Sequence, residues 1–488
     1  MIALIKNEYI KLLHKKSLWI TLIVILGFIS LVNYIYTKDF TPVTPVLYKE
    51  NTYTDRIEEY EGYIANLNKG SNDYYTNLAY YQSVIDTYKV LEQYNDESWK
   101  EQLIFDEYQN LSNQYYSLCY LNKNSNELKK ISSKIENLIN ILKQNDWRNY
   151  VDIKISEVKE DLEINQESLK VTTNEALKIN TENTIEILQY RLYLLEYRLD
   201  NNVSYDNSYL DKAISSLEND KPLQIQYKNQ ENLSSSELTN YDDINSNILK
   251  NEFVLEHKID ANNDNSLKGI LTDFFNEYSF LIVVFIVLIG GAIVSEEFHK
   301  GTIKTLLVVP YSRVEIILAK IITVISMIFI VSFIILLYQF LLGGILLGFD
   351  SIKYPVLVYN SASKTLITMN VFQYVGIVFF TFLPYYTIFA LISICLSTLI
   401  NNTGFSIAIS LFINIGSGIV NSIATAYNLK FMKYFISLNW NFMEYLFGSK
   451  PAFKYASLQS SIIVYLVYFI VILITTIFIF KKRNIKNI

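Results

Sequence analysis

Charge is scarce in this chain of 488 residues, since Lys, Arg, Asp and Glu together make up only 18% of it. Soluble globular proteins average about 25% charged residues. Apolar residues account for 51% of the chain and are gathered in long blocks. This separation of apolar from polar sequence argues against one large soluble core and favours membrane segments.

Cysteine and histidine are also rare. Cys119 lies in a polar region and Cys395 in an apolar block, which excludes a disulfide between them and a cysteine-rich zinc site. The three histidines are widely separated and cannot form a His-rich metal cluster: His14, His257 and His299.

Motifs for catalysis and nucleotide binding are missing. No GxxxxGK[ST] phosphate loop occurs, so a partner chain would have to bind ATP if the protein uses it. No nucleophile, paired acid or metal constellation stands out either. We therefore predict no catalytic, cofactor-binding or metal-binding residues, and neither an enzyme nor a nucleic-acid-binding protein is expected.

Six apolar stretches have the length that a membrane helix needs, about 20 residues for a hydrocarbon layer ~30 Å thick. None carries a charged residue in its central part. The first is predicted to be a retained signal anchor, because no small-x-small cleavage site follows it. The predicted spans are residues 17–36, 278–294, 321–347, 368–399, 405–427 and 460–480.

Basic residues near the ends of these spans predict the orientation, because cytoplasmic flanks collect Lys and Arg. They surround both termini, at Lys6, Lys11, Lys15, Lys16, Lys481, Lys482, Arg483 and Lys486. The expected location is the cell membrane, with several passes and both termini in the cytoplasm.

The loop between the fifth and sixth spans also carries lysines, although the predicted topology places it outside, against the positive-inside rule. It is rich in aromatic residues and is expected to lie in the outer interface or to re-enter the membrane.

The segment 38–275 differs in charge from the rest. It has 24 Lys and Arg against 41 Asp and Glu, whereas the remainder has 18 against 7. Apolar residues recur in it at heptad-like spacing, which predicts a compact helical bundle. Loops are expected at 201–207 and around Pro222, and the polar stretch 229–247 is expected to be mobile.

The predicted fold class is therefore all-α, a polytopic membrane protein with six transmembrane helices plus a helical extracellular domain. Its predicted domains are residues 1–37 (entry helix and first span), 38–275 (the acidic extracellular domain) and 276–488 (five further spans with a cytoplasmic loop at 295–320).

The loop after the second span is the most informative segment. Acidic residues leave the membrane helix, Gly301 permits a sharp reorientation, and Pro310 ends a short amphipathic stretch. Its shape suggests a docking element, and an ordinary interfacial hairpin is the alternative. The residues follow the order E-E-x-x-x-G-T-I-x-x-L-L-x-x-P-x-S-R from Glu296 to Arg313.

This order closely resembles the loop after the second helix of ABC-2-type transporter permeases. The stretch from Leu4 to Lys11, ahead of Lys15, Lys16 and Trp19, resembles the amphipathic entry helix of the same family. Permeases of this type in Gram-positive bacteria often carry a large extracellular insert after the first helix. The resemblance covers the membrane half of the chain, and the insert matches only loosely.

The resemblance implies a half-transporter. A cytoplasmic ABC ATPase subunit would hold ATP and Mg, a second permease copy or a paralogous permease would complete the pore in the lipid bilayer, and the chain itself would bind no cofactor. Apart from the resemblance, an apolar membrane interior without carboxylates favours hydrophobic or amphipathic cargo, such as an antimicrobial peptide or drug. By position, the ATPase-coupling residues would be Glu296, Glu297, Gly301, Thr302, Leu306, Pro310 and Arg313, with Lys6, Lys11 and Lys15 on the entry helix.

The fifth span has a polar stripe that is visible without the resemblance. Its members step by three or four residues along one helix face: Ser406, Ser410, Asn414, Ser417, Asn421 and Thr425. Polar side chains in a membrane need partners or water, so the stripe is either interhelical packing or a translocation path or permease seam.

For the loop after the second span, charge reversal at Glu297 or Arg313 is expected to uncouple transport without unfolding the protein.

Two other function classes fit the same architecture. One is a non-transporting surface protein that resembles the phage-infection-protein group, and the other is a membrane sensor that signals through the inner loop. Association with an ABC ATPase distinguishes transport from both.

Overall fold

A computed structural model describes residues 1–36, 52–122, 125–228, 230, 233–303 and 310–483. The chain forms two compact units, a membrane unit (Met1–Thr41 with Ile259–Ile488) and an inserted unit (Pro42–Lys258). The inserted unit ends earlier than the predicted boundary at residue 275. Residues after 258 belong to the membrane unit because their apolar side chains, including Leu267 and Phe274, are buried in its core.

The chain begins with two helices, α1 (Ile2–Leu13) and α2 (Lys16–Tyr36). Helix α1 is amphipathic, whereas α2 is apolar along its length. A tight turn joins them, and the indole of Trp19 donates a hydrogen bond of 2.7 Å to the carbonyl of Leu13. This bond satisfies one of the carbonyl groups that the end of α1 leaves without a partner in the helix.

Helices make up the inserted unit, and no strand occurs among its described residues. They are α3 (Tyr53–Ala65), α4 (Tyr74–Tyr94), α5 (Ser98–Leu103), α6 (Gln109–Ser117), α7 (Ser125–Gln144), α8 (Trp147–Val171), α9 (Glu175–Asp200), α10 (Tyr209–Lys228) and α11 (Ser235–His257). Single π-helical turns follow α5 at Ile104–Tyr108 and α6 at Leu118–Asn122. Long helices pack on their neighbours in sequence, as α8 does on α9 and α10 on α11. The predicted helical bundle is confirmed.

The predicted loop around Pro222 is wrong, because this proline lies inside α10. Leu217 and Ile225 are buried on either side of it, so packing offsets the missing backbone hydrogen bond. The polar stretch expected to be mobile is helical from Ser235, where Ser234 and Glu237 form a capping box. The loop at 201–207 is confirmed.

Helices of the membrane unit continue with α12 (Leu267–Thr272), α13 (Phe274–Ala292), α14 (Ser295–His299), α15 (Arg313–Leu347), α16 (Val371–Leu399), α17 (Thr403–Ala426) and α18 (Leu458–Lys482). Among the described residues, six helical segments are long and apolar enough to cross a membrane: α2, α13 with α14, α15, α16, α17 and α18. The protein is therefore an all-α, multi-pass membrane protein, as predicted. Helix α13 is the most buried of the six, and α18 is the most exposed.

One feature of the membrane unit was not predicted, a β-hairpin between α15 and α16. Strand β1 (Val356–Asn360) pairs with β2 (Thr365–Met369) in antiparallel register. Because β2 occupies residues up to Met369, the fourth span begins at Val371 and not at 368. Asn370 caps the helix there, since its side-chain oxygen accepts a hydrogen bond of 2.9 Å from the Phe372 amide.

The segment between α17 and α18 re-enters the helix bundle. It contains short 3₁₀ turns at Lys430–Tyr434, Ile436–Leu438 and Phe442–Gly448. Trp440 is only 4% exposed, and its ring lies 5.7 Å from that of Tyr385 and 5.0 Å from that of Phe389. Tyr385 and Phe389 both lie roughly 20 Å or more from the first residue of α16, since a helix rises 1.5 Å per residue. The aromatic loop therefore reaches the middle of the bundle.

Candidate functional site

The lysine-rich end of the membrane unit contains the residues that the sequence selects. We call it the basic end; α1, α14, the start of α15 and the end of α18 lie there. Leu4, Glu8 and Leu12, spaced four residues apart, form the buried face of α1. On the same helix, the hydroxyl of Tyr9 donates a hydrogen bond to Ser326 of α15. One face of α1 is thus fixed against α15.

Lys320 has no solvent exposure, although it lies in the largely apolar helix α15. Its Nζ donates hydrogen bonds to Glu8 Oε2 at 2.9 Å and to the carbonyl of Ile293 at 3.2 Å. It also lies 2.9 Å from Glu297 Oε1. These three acceptors match the three N–H donors of an ammonium group. A buried charge without such partners would be very costly, so the acceptors explain how Lys320 can be buried.

Lys11 completes this arrangement from the entry helix. Its Nζ lies 3.1 Å from Glu8 Oε1 and 2.8 Å from Glu297 Oε1, so each carboxylate bridges two lysines. Burial is the largest single influence on the pKa of Lys11 and lowers it. The hydrogen bonds and charges of Glu297 and Glu8 together outweigh burial and leave that pKa above its usual value. We call Glu8, Lys11, Glu297 and Lys320 the paired cluster; it joins α1, α14 and α15.

Glu296, next to the paired cluster, forms a second set of ion pairs. Its carboxylate contacts the ammonium group of Lys15 and, at 2.8 Å, that of Lys300. Gly301 follows with a φ of +69°, a conformation that glycine adopts at little cost. The hydroxyl of Thr302 then donates to the carbonyl of Glu297 at 3.4 Å. Helix α14 ends just ahead of this glycine, whose conformation permits the reorientation that the sequence suggests.

Arg313 contacts a different element. Its Nη1 donates to the carbonyl oxygens of Lys481 at 3.0 Å and Arg483 at 2.9 Å, at the end of α18. Such terminal carbonyls have no partner within their own helix, so Arg313 caps α18. Charge reversal here would remove both bonds. The hypothesis that Arg313 can be reversed without an effect on the fold is not supported by this geometry.

The structure pairs several of the predicted coupling residues with one another, namely Lys11, Lys15, Glu296 and Glu297. Glu297 in particular faces two lysines of its own chain, so its reversal would also disturb the fold. Lys6 and Pro310 are exposed at the basic end. Leu306 lies outside the described residues.

Sequence reasoning did not select Glu8 or Lys320 as site residues. Glu8 is the one acidic residue of α1, and Lys320 lies seven residues after the first residue of an apolar helix. Such charges at the edges of apolar segments are a usable signal, because they are rare and need partners. The sequence does not reveal which partner each one takes.

The polar stripe of α17 faces the protein. The amide of Asn414 donates to the hydroxyl of Tyr385 at 2.6 Å, and that of Asn421 to the carbonyl of Ser437 at 2.9 Å. The stripe is buried or half-buried along its length, at Ser406, Ser410, Asn414, Ser417, Asn421 and Thr425. These are packing contacts, with α16 and with the re-entrant segment. The opposite face of α17 is apolar and exposed.

Comparison with known protein families gives a match over residues 238–486 to the family described as "Protein of unknown function (DUF2705)". The chain belongs to this family. The DUF2705 match begins within α11 and includes α12 to α18. It therefore contains Glu297 and Lys320, whereas their partners on α1 precede the matched range.

A relative from Bacillus subtilis (strain 168), described as "Uncharacterized protein YhcI", is 26% identical over 242 residues. The aligned part is 49% of this chain and 76% of the relative. No solved structure matches the chain. Membership of the DUF2705 family thus assigns the membrane unit to a group of related proteins and attaches no activity to it.

Proposed function

We propose that this chain is the permease subunit of an ABC-type exporter driven by a separate ATPase subunit. The proposal is supported by the resemblance of residues 296–313 to the loop after the second helix of ABC-2-type permeases. It is also supported by the six spans and by the presence of α1 at the same end as that loop. The partner would bind ATP and Mg, because the chain has no phosphate loop of its own.

The observation that carries the proposal is the paired cluster. The resemblance assigns α1 and α14 to contact with the ATPase, and the cluster ties both of them to α15 through Lys320. Removing one partner of a buried ion pair costs about 3–5 kcal/mol, because the other charge stays buried. We therefore expect α1, α14 and α15 to keep their ion pairs and to move together when a partner pushes on any of them. A force applied at the basic end would reach a membrane-spanning helix in this way.

The surface around the paired cluster suits a protein partner. On α1, Ile2 is 84% exposed and Ile10 is 47% exposed, and Lys6 lies between them. Exposed apolar residues next to a basic one are typical of an interaction site. In this mechanism the ATPase touches the outer face of α1 together with Thr302 and Pro310. Lys11, Glu296 and Glu297, which join α1 to α14 and α15 by ion pairs, transmit the movement.

The proposal includes an orientation. The basic end and both termini would face the cytoplasm across the cell membrane, and the acidic inserted unit would lie outside, as the positive-inside rule predicts. An acidic outer unit would attract cationic, amphipathic cargo, for which an antimicrobial peptide is the best example. A second permease copy or a paralogous permease would pack on the exposed apolar face of α17, which includes Phe412 and Ile415.

The test is whether an ABC ATPase of the native host co-purifies with the tagged full chain. We expect the tagged full chain to retain the ATPase, and Lys6→Glu combined with Ile10→Asp to weaken the complex about tenfold or more. Lys212→Glu, at an exposed lysine of α10, serves as the control and should bind normally. Failure of the intact, folded chain to bind the ATPase would contradict the proposal. It would favour a surface protein of the phage-infection-protein type or a membrane sensor.

A further inference from the structure

An open pocket of about 410 Å³ lies at the basic end, between α1, α2, α13, α14 and α17. Its rim is polar and includes Lys15, Glu296, His299 and Lys300. Its wall is apolar and includes Leu18, Phe285, Leu288, Ile289 and Ile407. We call this the interfacial pocket. A second cavity of about 410 Å³ shares its rim residues Lys15, Glu296 and Lys300 and continues toward Lys11.

The rim has an excess of positive charge. Glu296 is a single carboxylate shared by the ammonium groups of Lys15 and Lys300, so one cation remains unbalanced. The side chain of Lys300 is 63% exposed, which leaves some of its three donors available to a ligand. The exposed His299 adds ring nitrogens at the same edge. The rim is therefore suited to an anion.

The rim lies at the level of the lipid headgroups. Lys15 directly precedes the apolar span α2, Lys16 is the first residue of α2, and Trp19, which follows one turn later, is 45% exposed. Lysine next to an exposed tryptophan marks the boundary between the hydrocarbon layer and water. From Glu296 the wall extends along α13 to Phe285, roughly 16 Å at 1.5 Å per residue. This depth corresponds to about half of a ~30 Å hydrocarbon layer, which is one leaflet.

We propose that the interfacial pocket binds an anionic phospholipid from the leaflet at the basic end. The phosphate is held by Lys15 and Lys300 beside His299, and one acyl chain follows the wall from Leu18 to Phe285. Basic pockets between membrane helices at this level select anionic headgroups by charge. A zwitterionic lipid would bring its own cation against the lysines, and a free phosphate would leave the apolar wall without a ligand.

The bound lipid would stabilise the packing of α1 beside α14. It contacts side chains from both helices, so binding favours the arrangement in which they are close together. This inference does not depend on an ATPase partner or on transport. Its failure would leave the proposed function untouched.

The experiment uses the delipidated full chain and measures lipid binding by native mass spectrometry and by the thermal midpoint. Phosphatidylglycerol should bind and stabilise the protein, and phosphatidylcholine with the same acyl chains should bind several times more weakly. Lys300→Gln should weaken phosphatidylglycerol binding about fivefold, the effect of one lysine near a membrane surface. Glu296→Gln removes the opposing carboxylate and should tighten binding. Lys481→Gln, an exposed lysine at the same end but outside the pocket, is the control and should change nothing.

Two further measurements distinguish binding of the whole lipid from binding of a free anion. Glycerol phosphate, the soluble headgroup, should not stabilise the protein or compete with the lipid. Thr21→Trp, which fills the apolar side of the pocket, should reduce lipid binding. Equal binding of the two lipids, protection by glycerol phosphate alone, or changes of the same sign in Lys300→Gln and Glu296→Gln would each overturn the proposal.

Discussion

At the scale of single residues, Lys320 connects three helices of the basic end through its ion pairs. Its ammonium group is fully buried and meets carboxylates from α1 and α14. Paired buried charges contribute little net stability compared with apolar side chains, but removing one partner is expensive because the other charge remains buried. The cluster therefore acts mainly by requiring that α1, α14 and α15 adopt one arrangement.

Lys320→Met tests this role. It leaves Glu8 and Glu297 with only Lys11 as partner, so we expect the free energy of unfolding to fall by about 3–5 kcal/mol. The measurement is the midpoint of a denaturant titration of the purified protein. Adding Glu8→Gln restores the charge balance and should recover part of the loss. Lys16→Met, which removes an exposed lysine, should have an effect below about 0.5 kcal/mol; a loss equal to that of Lys320→Met would contradict the argument.

Glu218 of α10 gives a prediction about pH. Burial is the largest influence on its carboxyl and raises the pKa, although Arg191 and Arg198 oppose the shift. Below the unfolded pKa of 4.5 the carboxyl is neutral in both states, and the folded protein keeps its full stability. As pH rises through the folded pKa, the buried carboxyl must ionise and that stability is lost. Glu218→Gln avoids this loss, so the variant should be more stable than the wild type near pH 7 and similar to it below about pH 4.5.

Amide hydrogen exchange in α9 and α10 provides the measurement for Glu218→Gln, after correction for the pH dependence of intrinsic exchange. Glu237→Gln is a suitable comparison, because hydrogen bonds from Ser234 lower the pKa of the Glu237 carboxyl and the sign is opposite. An identical difference between Glu218→Gln and the wild type at every pH would refute the assignment.

At the scale of elements, the re-entrant segment between α17 and α18 shows how a short irregular region can be held in a membrane protein. Backbone groups in such a region need partners within the protein. Asn439 supplies some of them, since its amide donates to the carbonyls of Lys433 at 2.9 Å and Phe435 at 2.6 Å. Trp440 then anchors the segment against α16.

Truncation of this anchor should be costly. Trp440→Ala removes a ring that is only 4% exposed, and we expect a loss of about 3–5 kcal/mol in unfolding free energy. Phe431→Ala is the matched control in the same segment, because Phe431 is 63% exposed and should matter little. Denaturant titrations of both variants make the comparison. Similar midpoints for the two would show that the segment does not insert between the helices.

At the scale of the whole molecule, charge is distributed unequally between the segments. The segment 38–275 carries a large excess of acidic residues, whereas the rest of the chain is basic. One span, α2, separates α1 from the inserted unit. A membrane protein with this pattern should have α1 and the inserted unit on opposite sides of the membrane, with the basic α1 in the cytoplasm.

Cysteine labelling tests that topology. In a chain with Cys119 and Cys395 replaced by Ser, single cysteines are introduced as Lys6→Cys in α1 and Lys212→Cys in α10, both at exposed positions. A membrane-impermeant maleimide should label Lys212→Cys in intact cells, and Lys6→Cys only after the membrane is opened. Labelling of both variants to the same extent in intact cells would rule out the proposed orientation.

Much of the fold follows from local properties of the chain. The six spans were predictable because the cost of charge in a membrane applies residue by residue along each apolar run. The hairpin β1–β2 was missed because each strand has only five residues, which is too short a run to distinguish from a connecting loop by its pattern alone. Pro222 was misassigned because its helix depends on packing by Leu217 and Ile225, a contribution that local propensity does not contain.

The amino-acid sequence by itself determines that this chain is a multi-pass, all-α membrane protein with an acidic helical insert and a basic end. Only the tertiary structure decides that Glu297 points inward to Lys11 and Lys320, that Arg313 caps α18, and that the stripe of α17 packs against protein. Hydrophobic and charge patterns act through the solvation of each segment, which depends on the residues of that segment alone. Ion pairs and hydrogen bonds depend on which distant atoms come within about 3 Å, and folding alone sets those distances.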